Sequence, residues 1–493
     1  MRAVASARAL RLPSAHPLVE VLQRRAILVL EGAMTSPVTA VADRLEAKAA
    51  SFVKEKRLPG AAVGVVHGDE LVWSAGVGFA DVASRRAPDA STLYRIASIT
   101  KTLTGAAIMQ LRDEGRLHLD DPIVAHIPEL RNAQSPFGPM ETLTIRRMLS
   151  HESGLMSEPP GTDWSVPTYE GVVERNLARP EDIGTRVAPN TQWKYSNLAY
   201  QLLGEVVARA SGEPYIERLR AAILEPLRMA STAFEPLPEE LLARRATGYS
   251  GRWFTDELDV ALAMPPVWAE GGLWSSVEDL ARWLSFQFRT DADPRVGAQI
   301  LSGRTLKEMH TPRYLVDEAW TEAWCVAWYA MRRDDVVWVQ HSGGLPGFST
   351  NLCFDPKERV GAIALLNGIG DADALAMDLA GIARTAVREA APVIAPPAAM
   401  PESHRSLLGI YISPQSGELI RLEWRDAKLM FMSADDPVWR PTLTATDDPD
   451  VFTVDPGFRP SGEPATFARK DDGRVRSVFL GGETWARLDP VSG

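Results

Sequence analysis

One stretch constrains the fold of this chain more than any other: "APVIAPPAAMPESH", residues 391–404. Four prolines there remove backbone donors and fix φ, so neither a regular helix nor a central strand can run through it. It reads as a Pro/Ala-rich linker, and the chain on its two sides differs in kind. At 493 residues the sequence also exceeds what a single compact core accommodates. The expected organisation is a poorly ordered leader over residues 1–37, a large domain over 38–390, the linker over 391–405 and a small all-β domain over 406–493.

The large domain alternates helix and strand patterns. Val41, Leu45, Ala49, Phe52 and Val53 recur at helical spacing from Val38 to about Lys56. "AAVGVVH" and "LVWSAGVG" flank the polar turn Gly68-Asp69-Glu70, a β-hairpin. After Ser98 the residues Ile99, Leu103, Ala106, Ala107, Ile108 and Leu111 leave few polar faces, so that helix is expected to be buried on most sides until Gly115 caps it. Residues 156–192 read as loops around a short helix, and Tyr200–Ala210 as a helix. Four strand-like runs follow: Trp324–Met331, Val336–His341, Ser349–Phe354 and Val360–Leu366. With "RRDD" and "DPKER" as turns they predict an antiparallel sheet. "ADALAMDLAGIARTAVREA" then predicts a helix that packs back on it. Beyond the linker, "GELIRLEWRD", "KLMFMS", "DVFTVD", "ATFARKDDGRVRSVFLGG" and "TWARLD" predict a small barrel or sandwich.

Composition narrows the function classes. A formal net charge of −11, without any Lys/Arg-rich run, argues against a nucleic-acid partner. The eight histidines are scattered, with no H-E-x-x-H or C-x-x-C, so neither a metal nor another cofactor is called for. Cys325 and Cys353 would sit on strands separated by one other, roughly 10 Å apart at ~4.8 Å per strand, too far for a disulfide. No apolar run approaches the ~20 residues of a membrane span. The longest near the N-terminus, Ala26–Leu30, is too short for a signal h-region, which points to a cytoplasmic location, with Met1 and Met34 both candidate starts.

Three short motifs carry chemistry. "YRIASITKTLTG" places Ser98 and Lys101 one helical turn apart on one face. A helix N-terminus favours a developing oxyanion, and a lysine in that apolar setting is costly to keep charged, which suits a base. A second S-x-x-K, Ser51 to Lys54, lies inside the first amphipathic helix, with Lys54 on its solvated face. "QWKYSNLAY" holds Tyr195-Ser196-Asn197, the only Y-x-N in the chain. A tyrosine beside a lysine can relay a proton, and an asparagine two residues on can hold a substrate amide. "HSGGLPGF" ends a predicted strand with His341-Ser342-Gly343-Gly344. Its small residues would let a substrate backbone lie along the strand edge, and the N–H groups of Gly344 and Ser98 could form an oxyanion hole. Singly, each motif has an ordinary reading as a helix cap, a packed tyrosine or a turn.

The order S-x-x-K, Y-x-N, H-x-G resembles the penicillin-recognising serine hydrolases. Within them it is similar to the class C β-lactamase-like group, which includes D-aminopeptidases, D-peptidases, family VIII esterases and some acyltransferases. "MLSHESGL" (148–155), "EGGLWSSVEDLARW" (270–283) and "HSGGLPGFST" (341–350) support the resemblance, which covers about Val38 to Glu389. It implies an α/β domain with a β-lactamase/transpeptidase-like antiparallel sheet flanked by helices and a helical subdomain. It further implies Ser98 as nucleophile, Lys101 as its activating partner, Tyr195 as general base and later acid, and Asn197 as substrate ligand. His341 stands where β-lactamases keep the lysine of K-T-G, and Gly343 and Gly344 line the oxyanion strand. A neutral imidazole at 341 gives up the fixed positive charge that suits a β-lactam carboxylate. Asn190 replaces the glycine usual before Y-x-N; asparagine tolerates the left-handed conformation such a turn needs. The C-terminal part resembles the lipocalin-like β module found behind some catalytic domains of this group, where it shapes the cleft or mediates oligomerisation.

For substrate, the implied partner is a small-molecule ester, amide or peptide, D-residue peptides included. Acyl transfer, β-lactam hydrolysis and a non-turnover acylatable sensor are the alternatives, and a homo-oligomer is compatible with all of them. Trp164, Trp193, Trp268, Trp274 and Trp320 are candidates for pocket walls or for packing alike. Arg95, Arg146, Arg147, Arg175 and Lys194 do not stand out from surface residues.

Overall fold

The computed structural model describes residues 10–11, 36–162, 172–251, 257–260, 268–290, 300–333, 336–390, 399–433, 439–457 and 459–488. The chain divides into two compact units, Met1–Ala390 and Ala391–Gly493. In the first, eight strands form one antiparallel sheet. They are β1 (Gly60–His67), β2 (Glu70–Gly78), β3 (Tyr314–Leu315), β4 (Glu322–Trp324), β5 (Tyr329–Arg333), β6 (Val336–Leu345), β7 (Phe348–Asp355) and β8 (Val360–Leu366), in the order β2-β1-β8-β7-β6-β5-β4-β3. The N-terminal hairpin thus joins the late strands through β1 against β8, from Val360↔His67 to Leu366↔Ala61.

Strand periodicity explains why β8, and β1 up to Val66, are buried throughout. Successive side chains point to opposite faces, and here each face has its own core. Ala62 and Val66 of β1, with Ile363 and Leu365 of β8, join one core; Ala61, Val63 and Val65, with Ala362, Ala364 and Leu366, join the other. The second core is closed by α1 (Ala42–Glu55), through Leu45, Ala49, Phe52 and Val53, and by the late helix Ala372–Ala390. Ser51 and Lys54 lie on the exposed side of α1, and Ser51 Oγ donates to Glu55 Oε1 at 2.5 Å. The first core holds α2 (Thr100–Asp113), α3 (Ile145–Leu149), α4 (Asn197–Ser211) and α5 (Val277–Phe286). Gly64 of β1 admits α5: a Cβ there would sit 2.4 Å from Val277 Cγ1.

Two expectations need correction. The run Trp324–Met331 is a hairpin, β4 and β5, closed by Cys325 N donating to the Trp328 carbonyl at 2.8 Å. The reversal is set by packing: Ala327, at φ 60°, presses its Cβ to where a side chain on Gly105 of α2 would lie, 2.3 Å away. Cys325 is therefore in a turn rather than on a strand; both cysteines are buried and free. The last residues of the linker stretch, Glu402–Arg405, are helical, while 391–398 fall outside the described residues. Of the 1–37 leader, the described residues include only Leu10–Arg11, paired with Leu258 and Glu257, and Ser36–Pro37. No described helix is long and apolar enough to cross a membrane.

The second unit contains a closed eight-strand barrel, with β9 (Gly409–Ile412), β10 (Leu419–Arg425), β11 (Lys428–Ser433), β12 (Thr442–Ala445), β13 (Val451–Val454), β14 (Pro464–Arg469), β15 (Val475–Leu480) and β16 (Glu483–Leu488) following one another around it. Closure comes from β9 pairing with β16, Ile410↔Leu488 to Ile412↔Ala486. Inward residues such as Tyr411, Phe431, Phe452, Phe467 and Trp485 fill the interior, as expected of a barrel this small. The sequence left sandwich and barrel open; the strand count and the β9–β16 pairing make it a barrel. β9 and β12, four residues each, were the strands without a clear sequence signal.

Candidate active site

The site begins with three buried threonines. On α2, Thr100, Thr102 and Thr104 are inaccessible to solvent, and each finds a partner. Thr100 Oγ1 accepts the Leu273 N–H (3.3 Å), Thr102 Oγ1 accepts the Trp283 indole N–H (3.0 Å), and Thr104 Oγ1 donates to the Ala269 carbonyl (2.6 Å). Buried hydroxyls must be satisfied, and these three fasten the start of α2 to the segment 269–283. Gly204 lets α4 approach the same segment, since a Cβ there would lie 2.5 Å from Ala269 Cβ.

Ser98 does not cap the helix. It sits in a one-turn 3₁₀ helix, Ala97–Ile99, ahead of α2, and the residue before it, Ala97, has φ 48°. A left-handed alanine costs about 1 kcal/mol, and the surroundings hold it there. Ile96 N donates to the Leu273 carbonyl (3.0 Å), and Thr350 Oγ1 of β7 donates to the Ile96 carbonyl (3.0 Å). Gly343 of β6 slides alongside: a Cβ on it would be 2.2 Å from Ile96 O and 2.5 Å from Thr350 Oγ1. Gly343→Ala therefore breaks the brace under Ser98 and is expected to cost about 1–3 kcal/mol in urea denaturation. Gly344→Ala, whose Cβ meets nothing within 4 Å, should leave stability unchanged in the same assay.

Lys101 has no solvent exposure, and its Nζ donates to Ser98 Oγ (3.0 Å), Asn197 Oδ1 (2.7 Å) and the Glu270 carbonyl (2.6 Å). Three acceptors match the three N–H groups of an ammonium. Its Nζ also lies 5.1 Å from the Tyr195 ring centroid and 5.5 Å from that of Tyr200. Asn197 in turn donates through Nδ2 to Glu158 Oε1 (2.7 Å), which orients its oxygen toward Lys101. Ser196, between Tyr195 and Asn197, caps α4 by accepting the Ala199 N–H (3.0 Å) and anchors the turn through the Met156 carbonyl (2.7 Å). Asn190 adopts φ 62°, the left-handed turn expected of it.

His341 lies in a cluster of rings. It meets Trp324 edge-on at 5.7 Å and Tyr329 at 6.0 Å; Trp324 lies 5.9 Å from Tyr195 and stacks on Trp193 at 5.9 Å. His341 Nδ1 donates to the Ser342 carbonyl (2.7 Å), which leaves the lone pair on Nε2. Burial, reinforced by Lys101, pushes its pKa down to about 3. β6 pairs with β7 through Leu345 but with β5 only as far as Gln340, so residues 341–345 have no β5 partner along that edge.

The structure thus joins Ser98, Lys101 and Asn197 by direct hydrogen bonds, sets Tyr195 over Lys101, and brings Gly343 beneath the Ser98 turn. Several other candidates are engaged elsewhere, whereas Trp193 belongs to the ring cluster beside Tyr195. Arg146 pairs with Asp120, Arg95 with Glu235, Arg147 donates to the Thr142 carbonyl and Lys194 to Ser157 Oγ. Trp274 is buried against Glu235, Trp320 packs under Arg332, and Trp164 lies outside the described residues. His151, Glu158, Trp324 and the Glu270 carbonyl were not singled out from sequence. His151 and Glu270 lie within conspicuous stretches, but a carbonyl contact has no side-chain signature. Among the described residues no cluster of metal-ligating side chains occurs.

Buried neutral histidines give the fold an acid-sensitive window. Burial, with Lys101 and His341, lowers His151 well below its usual value, as burial lowers His341. Once unfolded, these two and His310, which burial likewise lowers, bind protons near pH 6.5, so the stability they contribute is full above that pH and is lost as pH falls, toward about 3 for His341 and His310. Each contributes up to ~1.4 kcal/mol per pH unit. Asp279 and Asp373, whose carboxyls burial pushes up, act with the opposite sign, nearer the carboxylate range. Urea midpoints measured from pH 7 to pH 5 should fall, with a slope approaching three protons taken up on unfolding from His151, His310 and His341, to which the less buried His67 and His404 add.

Comparison with known proteins agrees with this architecture. The family profile described as Beta-lactamase matches residues 45–386. Protein flp of Staphylococcus aureus (strain COL) is 27% identical over 331 residues, 64% of this chain and 61% of that protein. The chain therefore spans about three-fifths of the length of these curated relatives. Esterase EstB of Burkholderia gladioli is 31% identical over 221 residues, 43% of this chain and 56% of the esterase. Among solved structures, the octameric penicillin-binding protein homologue from Pyrococcus abyssi superposes with a TM-score of 0.60 at 23% identity, covering 90% of this chain and 99% of that one. The beta-lactamase/D-alanine carboxypeptidase from Yersinia pestis gives 0.58 at 23% identity, covering 71% and 99%. With a family match over residues 45–386 and the fold to go with it, the chain belongs to the beta-lactamase family.

Proposed function

We propose that the protein forms an acyl-enzyme at Ser98 and hydrolyses small esters or amides, D-residue peptides among them. The observation that carries this reading is the fully buried Lys101 donating at once to Ser98 Oγ, Asn197 Oδ1 and the Glu270 carbonyl. A lysine whose three N–H groups are all engaged has no lone pair to offer, so it favours the Ser98 alkoxide electrostatically. Tyr195, acting in its phenolate form beside the Lys101 ammonium, takes the Ser98 proton as Oγ attacks the carbonyl carbon. The carbonyl oxygen becomes an oxyanion held by the Ser98 and Gly344 N–H groups. Tyr195 returns the proton to the leaving alcohol or amine as its bond to the acyl carbon breaks, and water repeats the sequence to release the acid.

The unpaired edge of 341–345 supports a substrate backbone lying along β6, and the neutral His341 favours substrates without a carboxylate at that end. The barrel, read as a lipocalin-like module with a filled interior, suits an assembly role, and a homo-oligomer accords with the octameric relative.

Turnover of an activated short-chain ester, a D-alanyl anilide and a penicillin tests the reading. The ester or the anilide should turn over faster than the penicillin, with a basic limb in the pH–rate profile that Tyr195→Phe removes. Preferred turnover of the penicillin, or an unaltered limb in Tyr195→Phe, contradicts it.

A further inference from the structure

Beside Tyr195 lies a histidine that the reaction sequence above does not use. His151 is fully buried and held at φ 60°, a left-handed conformation that few non-glycine residues adopt. Its two polar backbone-facing atoms grip the residues on either side of Tyr195. The His151 carbonyl accepts the Lys194 N–H at 2.9 Å, and His151 Nδ1 accepts the Ser196 N–H at 3.1 Å. Its ring lies against Tyr195 with centroids 4.3 Å apart and planes 33° apart, and it meets Trp324 edge-on at 4.5 Å.

Each contact fixes a different degree of freedom. The two hydrogen bonds hold the backbone before and after Tyr195, and the ring limits rotation of the phenol. Because Nδ1 accepts, the ring proton belongs on Nε2 and the imidazole is neutral. Neutrality matters here: Lys101 and His341 face the ring from α2 and β6, and Tyr195 and Tyr200 from the Y-x-N turn and α4. A protonated His151 would lose its acceptor and release Ser196 N–H.

We propose that His151 is the positioning residue for Tyr195, its Nδ1 and carbonyl together fixing the tyrosine's place between Ser98 and the leaving group. The inference rests on the reading of Tyr195 as proton carrier. A misplacement near 1 Å is enough to cost about 10²-fold in rate. The left-handed turn, which presents both acceptors at once, is what an α-helical residue in the same stretch would lack.

Two substitutions separate the hydrogen bond from the ring. His151→Phe keeps an aromatic ring beside Tyr195 but loses the acceptor, while His151→Asn keeps an acceptor where Nδ1 stood and tolerates the positive φ. Rates are expressed per active site after titration with an organophosphonate that labels the nucleophilic serine, so loss of folded protein does not count as loss of rate. His151→Phe should lose about 10²-fold in kcat with KM little changed, and its basic limb should flatten. His151→Asn should recover most of that rate and the limb. If His151→Phe yields no folded protein, His151→Ala replaces it, and Asn must exceed Ala at least tenfold per site. A His151→Phe kcat per site near wild type, or Asn no better than Ala, overturns the inference. Were Tyr195→Phe itself to keep wild-type rate and limb, the reading of Tyr195 would fall first; Tyr195→Phe inactive with His151→Phe unimpaired sinks the positioning role alone.

Discussion

Ser98→Ala should lose at least ~10⁴-fold in turnover of whichever ester or anilide the wild type hydrolyses, because it removes the hydroxyl oxygen that Lys101 Nζ holds at 3.0 Å. The fold should survive. Ser98 contributes no helix cap, and the turn that presents it is held by main-chain bonds at Ile96 and by Thr350, which the substitution leaves intact. Lys101 keeps two of its three acceptors, Asn197 Oδ1 and Glu270 O. Thermal unfolding within a few degrees of wild type, beside lost turnover, is the expected pair of results. An equal fall in both would mean that Ser98 is structural.

Lys101→Met is the second large effect, and its sign in stability is less obvious. Removing the ammonium takes one donor from the Glu270 carbonyl and one from Asn197 Oδ1, about 1–3 kcal/mol for each buried bond lost. Against this, all three acceptors of Lys101 are neutral oxygens, so a charge is held in a dry interior without a direct ion pair. Relieving that desolvation offsets several kcal/mol. The two contributions are of similar size, and the methionine fills much of the vacated volume. Stability should therefore change by less than about 2 kcal/mol while kcat falls by about 10³-fold or more. Such a variant separates function from folding cleanly: circular dichroism melts report the first quantity and single-turnover acylation the second. Collapse of the fold would show instead that the lysine is mainly a structural pin.

Much of this arrangement was legible because it depends on side-chain period and on residue type. The spacing of Leu45, Ala49, Phe52 and Val53 gave α1, the polar turn at 68–70 gave the hairpin, and the Ala/Leu pattern at 372–390 gave the helix behind the sheet. Ser98, Lys101 and Asn197 stand out through the S-x-x-K and Y-x-N motifs and the family resemblance that those motifs carry together. What escaped was conformation that long-range packing imposes. Trp324–Met331 carries a continuous apolar run, yet Ala327 must turn to meet Gly105, and no local signal marks that contact. The positive φ at Ala97 and His151 is likewise set by β6, β7 and the Y-x-N turn, not by the residues themselves. Glu270 takes part through its carbonyl, which any residue would have supplied.

The account turns on a covalent bond at one oxygen, and mass reads it directly. Wild type and Ser98→Ala would each be mixed briefly with the activated ester, quenched in acid, weighed intact and digested. The predicted result is a mass gain of one acyl group on the wild type alone, carried by the peptide that contains Ser98. An adduct on another residue, an equal adduct on Ser98→Ala, or turnover of the ester with no adduct under burst conditions would contradict it.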